Sequence, residues 1–199
     1  MIYKYSSRNI NKIDQIARIV ATSLKQKKIV ALSTDTIYGL VGIFEPSVIE
    51  RIHRIKQRPQ SKPFILAIAE DTSLSNYIRE SEANSEERLK VKQSIQRAWP
   101  GKKTLVLPKN PGLTYPPGDT IALRMPAKED NLLFYTVLQE TGPLVVPSLN
   151  KTGTEPLIDL ESIKNTFGSE IDDIFFDTDY IATKPSQIID LTSGNILRE

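Results

Sequence analysis

The sequence predicts an α/β fold, a single domain on a sheet with both parallel and antiparallel strands. Three observations carry this. Short apolar runs alternate with longer stretches that keep apolar residues at helical spacing. The 199 residues suffice for one proper core and require no second domain. The 27-residue stretch from Asp71 to Arg97 and the hairpin-like spacings near the C-terminus argue for a mixed, not purely parallel, sheet.

Taken in order, Asn11 to Lys27 is a helix, with Ile13, Ile16, Ala17, Val20 and Leu24 on one face. Ile29 to Leu32 is a buried strand, and the Ser/Thr/Asp-rich Ser33 to Tyr38 is a loop. Gly39 and Gly42 flank a second apolar segment that reaches Phe44. Pro46 opens a helix with Val48, Ile49, Ile52 and Ile55 on its apolar face, and Pro59 ends it. Phe64 to Ala69 is a strand. Asp71 to Arg97 is polar and reads as two helices. Strands follow at Thr104 to Leu107 and Ile121 to Met125, separated by a Pro- and Gly-rich loop. Leu132 to Thr141 is a helix stopped by Gly142-Pro143. Leu144 to Pro147 is a strand, Asp159 to Phe167 a helix, and Ile174 to Phe176 and Gln187 to Leu191 are strands.

Composition narrows the chemistry. The chain has no cysteine, which removes disulfides, thiolate nucleophiles and Cys-ligated zinc. It has one histidine, His53, in a basic helical stretch, read as a solvated surface residue. A net charge of +2 does not by itself predict nucleic-acid binding. No apolar run is long enough to span a bilayer and Met1 to Asn11 lacks an apolar signal core, so the expected compartment is the cytoplasm, without membrane partners. Catalysis, if present, must rest on binding, positioning and charge.

Four segments could carry it. Ser33 to Leu40 places hydroxyls at a strand end, where α/β proteins bind ligands. Lys56-Gln57-Arg58-Pro59, with Lys62-Pro63 behind, sets cations at a helix end between stiff prolines. These cations complement the helix dipole, and their restricted chain also suits a polyphosphate or carboxylate. Pro147 to Gly153 follows a strand and carries Ser148 and Asn150 two residues apart. Pro185-Ser186 lies close to the C-terminal Arg198. Each segment also has a plain structural reading as a capped loop, a polar turn or a solvated charge.

Their order and spacing resemble the YrdC domain family, the threonylcarbamoyl-AMP synthases, in the short bacterial form. The family's Pro-Thr-(Asp/Glu)-Thr-(hydrophobic)-Tyr-Gly-Leu segment is matched by Ser33 to Leu40 at all but its first position. Lys-x-Arg-Pro is matched by Lys56 to Pro59, and Trp-Pro-Gly before a Thr-led strand by Trp99 to Leu107. The (aliphatic)-Arg-(hydrophobic)-Pro strand end falls on Leu123 to Pro126, and Ser-x-Asn-x-(Ser/Thr)-Gly on Ser148 to Gly153. Pro185-Ser186 and Leu197-Arg198 complete the set. The likeness runs from about Ile10 to Arg198, so residues 10–199 are read as one YrdC-like domain and residues 1–9 as its N-terminal extension.

The resemblance implies a twisted mixed sheet with flanking helices around a basic cavity. It implies synthesis of L-threonylcarbamoyl-AMP from L-threonine, bicarbonate and ATP, with release of pyrophosphate. The product serves N6-threonylcarbamoyladenosine modification at position 37 of tRNA, through downstream threonylcarbamoyl-transfer proteins and with possible RNA binding. Magnesium would accompany the ATP. By resemblance, Lys56 and Arg58 are catalytic, and they bind the nucleotide together with Lys62, Thr120, Ser148, Asn150 and Arg198. Thr36, Arg124 and Ser186 would hold the threonine.

Four positions depart from the pattern: Ser33 replaces a proline, Leu149 a small residue, Lys102 and Lys103 follow Trp-Pro-Gly where a proline is common, and Ala67 stands where longer members often carry a histidine. Two other readings stay open on the sequence alone. One is an RNA-binding module that uses the same basic cavity. The other is a diverged paralogue with another substrate, for which Leu149 is the best support.

Overall fold

Helix α1 (Ile10–Lys25) forms where the apolar spacing predicts it, and its Ile13, Ala17, Val20 and Leu24 are all buried. Helix α2 (Pro46–Lys56) starts with proline in its first turn, just after the extended Glu45. It ends because Gln57 turns left-handed, at φ 52° and ψ 43°. Helix α3 (Ser85–Ala98) leads to Trp99. In α4 (Leu132–Thr141) the Asn131 side chain accepts from Phe134 N at 2.9 Å, and in α5 (Leu160–Phe167) Asp159 caps Ser162 in the same way. The structure, a computed structural model, describes residues 1–70, 72–79, 85–181 and 183–199. Of the stretch read as two helices, residues 71 and 80–84 therefore lie outside the described residues; the rest shows a short 3-10 turn at Leu74–Asn76 and α3.

The strands are β1 (Ile2–Tyr5), β2 (Val30–Leu32), β3 (Gly39–Ile43), β4 (Leu66–Ala67), β5 (Lys103–Pro108), β6 (Thr120–Arg124), β7 (Leu144–Val145), β8 (Asp173–Asp177), β9 (Gln187–Asp190) and β10 (Ile196–Arg198). They form one sheet in the order β1-β8-β2-β3-β7-β4-β6-β5-β9-β10. Four neighbouring pairs are parallel (β1/β8, β2/β8, β4/β6, β5/β9) and the others antiparallel, so the sheet is mixed, as the strand spacing requires.

Strand alternation sorts the apolar residues to two cores. Val30, Leu32, Val41 and Leu144 face α1 and α4, while Ile29, Ala31, Leu40 and Val145 face α2 and α5. Gly42 is required where α2 meets β3, since a Cβ there would lie 2.4 Å from Val48 Cγ1. In β5 and β6 the same alternation sends Leu105, Leu107, Ile121 and Leu123 into the second core. Val106, Ala122 and Arg124 point the opposite way, into a cavity.

Two edge segments are strands that the sequence reading did not anticipate. Residues 2–5 pair with β8, and residues 196–198 pair with β9. Phe64 to Ala69 and Leu144 to Pro147 stay extended over more residues than their regular ladders. Val146 N donates to Ile65 O and Ile68 N to Arg124 O, beyond the two-residue strands β4 and β7.

Candidate functional site

The cavity encloses about 850 Å³ including its open mouth, and segments far apart in sequence line it. Thr34, Thr36, Ile37 and Tyr38 come from the β2–β3 loop, Gly39 opens β3, and Lys56 and Arg58 come from the end of α2. Ala122 and Arg124 lie on β6, Pro147 and Ser148 follow β7, Ser186 precedes β9 and Arg198 lies on β10. Among its lining residues are four cations, Lys56, Arg58, Arg124 and Arg198, and no carboxylate.

Lys56 is 3% exposed, because α2 carries it on the same face as Ile49 and Ile52. Its Nζ donates to Ser148 O at 2.5 Å, Asn150 O at 2.6 Å and Asn150 Oδ1 at 2.9 Å. Asn150 Oδ1 also accepts from Ser148 Oγ at 2.6 Å, and Asn150 Nδ2 donates to Thr154 O. The turn at Ser148–Asn150 is thus wrapped around an ammonium. Burial, with repulsion from Arg58 and Lys151, pulls the amine down to about 7. The three oxygens oppose this by occupying all three N–H groups of the charged form.

Arg58 follows the left-handed Gln57, so the chain reverses and its guanidinium turns toward the cavity. Nε donates to Lys62 O at 2.8 Å and Nη2 to Pro63 O at 3.3 Å, and Cζ lies 5.5 Å from the Phe64 ring centroid. Across the cavity, Arg198 Nε donates to Ser186 O at 2.8 Å and its Nη2 to Ser186 Oγ at 3.0 Å. Thr104 Oγ1 shares a 2.8 Å hydrogen bond with Ser186 Oγ. Burial lowers the pKa of both arginines, and Arg124 adds repulsion at Arg198. Among the described residues, neither they nor Lys56 has a carboxylate at ion-pair distance. Their charge is held in place by carbonyls and left to an incoming anion.

Arg124 is different. Its Nη2 lies 3.0 Å from Asp35 Oδ1, and its Nη1 donates to Thr36 Oγ1 at 2.9 Å. The Asp35 contact is an ion pair without hydrogen-bond alignment, and Arg124 Nε is buried without a partner among the described residues. Burial raises the Asp35 pKa and Arg124 opposes the rise. Thr34 Oγ1 accepts from Thr36 N at 3.2 Å and donates to Ile37 O at 2.7 Å, which fixes the loop. Thr183 Oγ1 closes on Thr36 O from the other side.

Of the residues expected from the sequence, Thr36, Lys56, Arg58, Arg124, Ser148, Ser186 and Arg198 line this cavity. Asn150 stands behind it as the partner of Lys56. Lys62 and Thr120 are exposed and do not line it; Lys62 contributes its carbonyl to Arg58. His53 corrects the reading of a solvated histidine. It is 4% exposed and stacks on Phe64 with centroids 4.1 Å apart. Its position at i, i+3, i+4, i+7 spacing with Ile49, Ile52 and Lys56 carried that signal, and the neighbouring arginines masked it.

The departures from the family pattern also find places. Ser33 is buried, shares a 2.6 Å hydrogen bond with Tyr5 Oη and accepts from Asn131 Nδ2 at 3.3 Å, so the loop is held without proline. Leu149 is fully buried in the core that faces α2 and α5 and does not line the cavity. Lys102 pairs with Asp130 at 3.0 Å.

No helix among the described residues is long and apolar enough to cross a membrane. The described residues hold no cluster of three or more metal-ligating His, Cys, Asp or Glu side chains.

The chain is similar to known proteins in sequence and in fold. A threonylcarbamoyl-AMP synthase of Pyrococcus abyssi is 32% identical over 179 residues, covering 88% of this chain and 50% of that protein. Another, from Idiomarina loihiensis, is 31% identical over 176 residues, covering 86% of this chain and 91% of that protein. This chain thus spans half the length of the Pyrococcus relative and nearly all of the Idiomarina one. The crystal structure of P. abyssi Sua5 complexed with L-threonine superposes with a TM-score of 0.80 at 28% identity, over 96% of this chain and 54% of that one. The family model Sua5/YciO/YrdC, described as telomere recombination, matches residues 22–199, and the chain belongs to that family.

Proposed function

We propose that this protein is a nucleotidyltransferase that joins L-threonine, bicarbonate and ATP into L-threonylcarbamoyl-AMP and releases pyrophosphate, supplying N6-threonylcarbamoyladenosine formation at position 37 of tRNA. The observation that carries the reading is the cavity lined by Lys56, Arg58, Arg124 and Arg198 without a carboxylate. Every reactant is an anion or bears an anionic group, and such a lining favours them over neutral or cationic ligands. The names of the relatives, and the threonine in the Sua5 structure, point to the same substrates.

The chemistry is a condensation followed by an in-line displacement. The threonine amine attacks bicarbonate and water leaves, giving the carbamate. A carbamate oxygen then attacks the α-phosphorus of ATP, the bond from that phosphorus to the bridging oxygen breaks, and pyrophosphate departs. In this reading Arg124 pairs with the threonine carboxylate, with Thr36 and Ser186 beside it. Lys56 and Arg58 neutralise charge on the phosphates as the leaving group forms, and Arg198 binds a phosphate from the opposite wall. Ser148 lines the carbamate region, and Asn150 serves by holding Lys56. With no carboxylate in the lining, magnesium would arrive on the nucleotide's own phosphates. Lys62 and Thr120 take a part only if the nucleotide extends beyond the cavity mouth.

Incubation with ATP, magnesium, L-threonine and carbon-13 bicarbonate tests this by mass spectrometry. A labelled adenylate that requires threonine is expected. A nucleotide product without the label, or none, overturns the reading and favours a paralogue acting on another substrate.

A further inference from the structure

The lone histidine is not used by the chemistry above, yet it sits directly behind one of the cavity cations. His53 O accepts from Arg58 N at 3.0 Å, and His53 Nδ1 lies 3.0 Å from Arg58 O. A carbonyl can only accept, so Nδ1 carries the proton and donates. His53 and Arg58 are therefore joined by two reciprocal hydrogen bonds around the left-handed Gln57. The imidazole also stacks on Phe64, the ring over which the Arg58 guanidinium lies. Tyr115 meets His53 edge-on, with centroids 6.3 Å apart, and its Oη accepts from Phe64 N at 2.8 Å. His53 Nε2 is buried without a partner among the described residues. A second proton there would lack an acceptor and would place a cation beside Arg58, so burial holds the ring neutral.

We propose that His53 is a positioning residue for Arg58: it holds the turn backbone through Nδ1–H and the supporting Phe64 ring through its face. This rests on the reading of Arg58 as an anion-binding residue. A turn closed by one non-glycine left-handed residue has other accessible conformations, and each would swing the guanidinium away from the cavity. Two features of one side chain remove that freedom, and the carbonyls of Lys62 and Pro63 then fix the guanidinium itself.

The test separates the two features. His53→Phe keeps the ring and loses the donor; His53→Asn keeps a donor near the position of Nδ1 and loses the ring. Hydrogen exchange of residues 57–62 and affinity for inorganic pyrophosphate are read in the full chain, with circular dichroism as the control for folding. We expect His53→Phe to speed exchange in 57–62 and weaken pyrophosphate binding by about fivefold each, the value of one hydrogen bond. His53→Asn should recover at least part of both. Unchanged exchange, unchanged affinity, or loosening of all of α2 without recovery in His53→Asn would overturn the proposal. If the wild-type protein binds no pyrophosphate, the anion-cavity reading fails by itself, and the exchange comparison still decides whether His53 holds the turn.

Discussion

Arg124 reaches from β6 to the β2–β3 loop, where its guanidinium lies 3.0 Å from Asp35 Oδ1 and donates to Thr36 Oγ1. Both side chains of the ion pair are almost fully buried, at 5% and 0% exposure. Arg124 therefore ties the cavity-lining Thr36 to β6, and the buried pair sets a penalty for losing either partner.

Arg124→Ala leaves the Asp35 carboxylate buried and unpaired, and should cost about 3–5 kcal/mol in urea unfolding. The sign with pH follows from the raised Asp35 pKa. A carboxyl raised in the folded state is more stable protonated there, so its contribution falls as pH rises from the unfolded value through the folded one. Removing Arg124 raises it further. The variant should lie closer to wild type near pH 4 than at pH 7, and a constant difference would argue against an ionised Asp35.

Lys56 gives the opposite slope. Its folded pKa is pulled down to about 7 from 10.5, so the unfolded chain binds the extra proton between those values. The cost of burying the charge is fully present below about pH 7 and is relieved as pH rises. Wild type should gain on Lys56→Met between pH 7 and 9, by up to about 1.4 kcal/mol per pH unit. Pyrophosphate binding near pH 8 should also take up a proton, seen by calorimetry in buffers of different ionisation enthalpy. No slope and no uptake would mean that the oxygens of Ser148 and Asn150 keep the ammonium charged.

Leu149 lies in the core and not in the cavity. Leu149→Ala should cost about 2–5 kcal/mol of stability, and the KM for ATP should stay within about twofold of wild type. A stable variant with a changed KM would restore Leu149 as a pocket residue.

The C-terminal strand β10 is exposed along its length, and Arg198 contributes to the cavity through Ser186. Deleting residues 196–199 should leave the thermal midpoint within a few degrees and reduce adenylate formation about tenfold or more. Equal activity would remove Arg198 from the site.

Local signals gave most of this architecture. Helices α1, α2, α4 and α5 follow from apolar spacing, α4 and α5 also from their caps, whereas the second core strand contains Gly39 and Gly42 instead of running between them. What stayed hidden depends on long-range pairing. Ile2–Tyr5 is only four residues long and mostly solvent-accessible, and it becomes a strand only beside β8, about 170 residues away. Ile196–Arg198 is an exposed edge, so no burial pattern marks it. The site was legible as an order of motifs, whereas its electrostatics were not. The sequence places Asn150 two residues after Ser148, but only the fold shows its oxygens on Lys56 instead of facing the cavity beside Ser148.

The most direct test of the central claim is pyrophosphate release by the pure protein with ATP, magnesium, L-threonine and bicarbonate, leaving out each component in turn. Release should need both threonine and bicarbonate and should fall about tenfold or more in Lys56→Ala and in Arg58→Ala. Release that ignores threonine or bicarbonate, or near-normal rates in both variants, would contradict it.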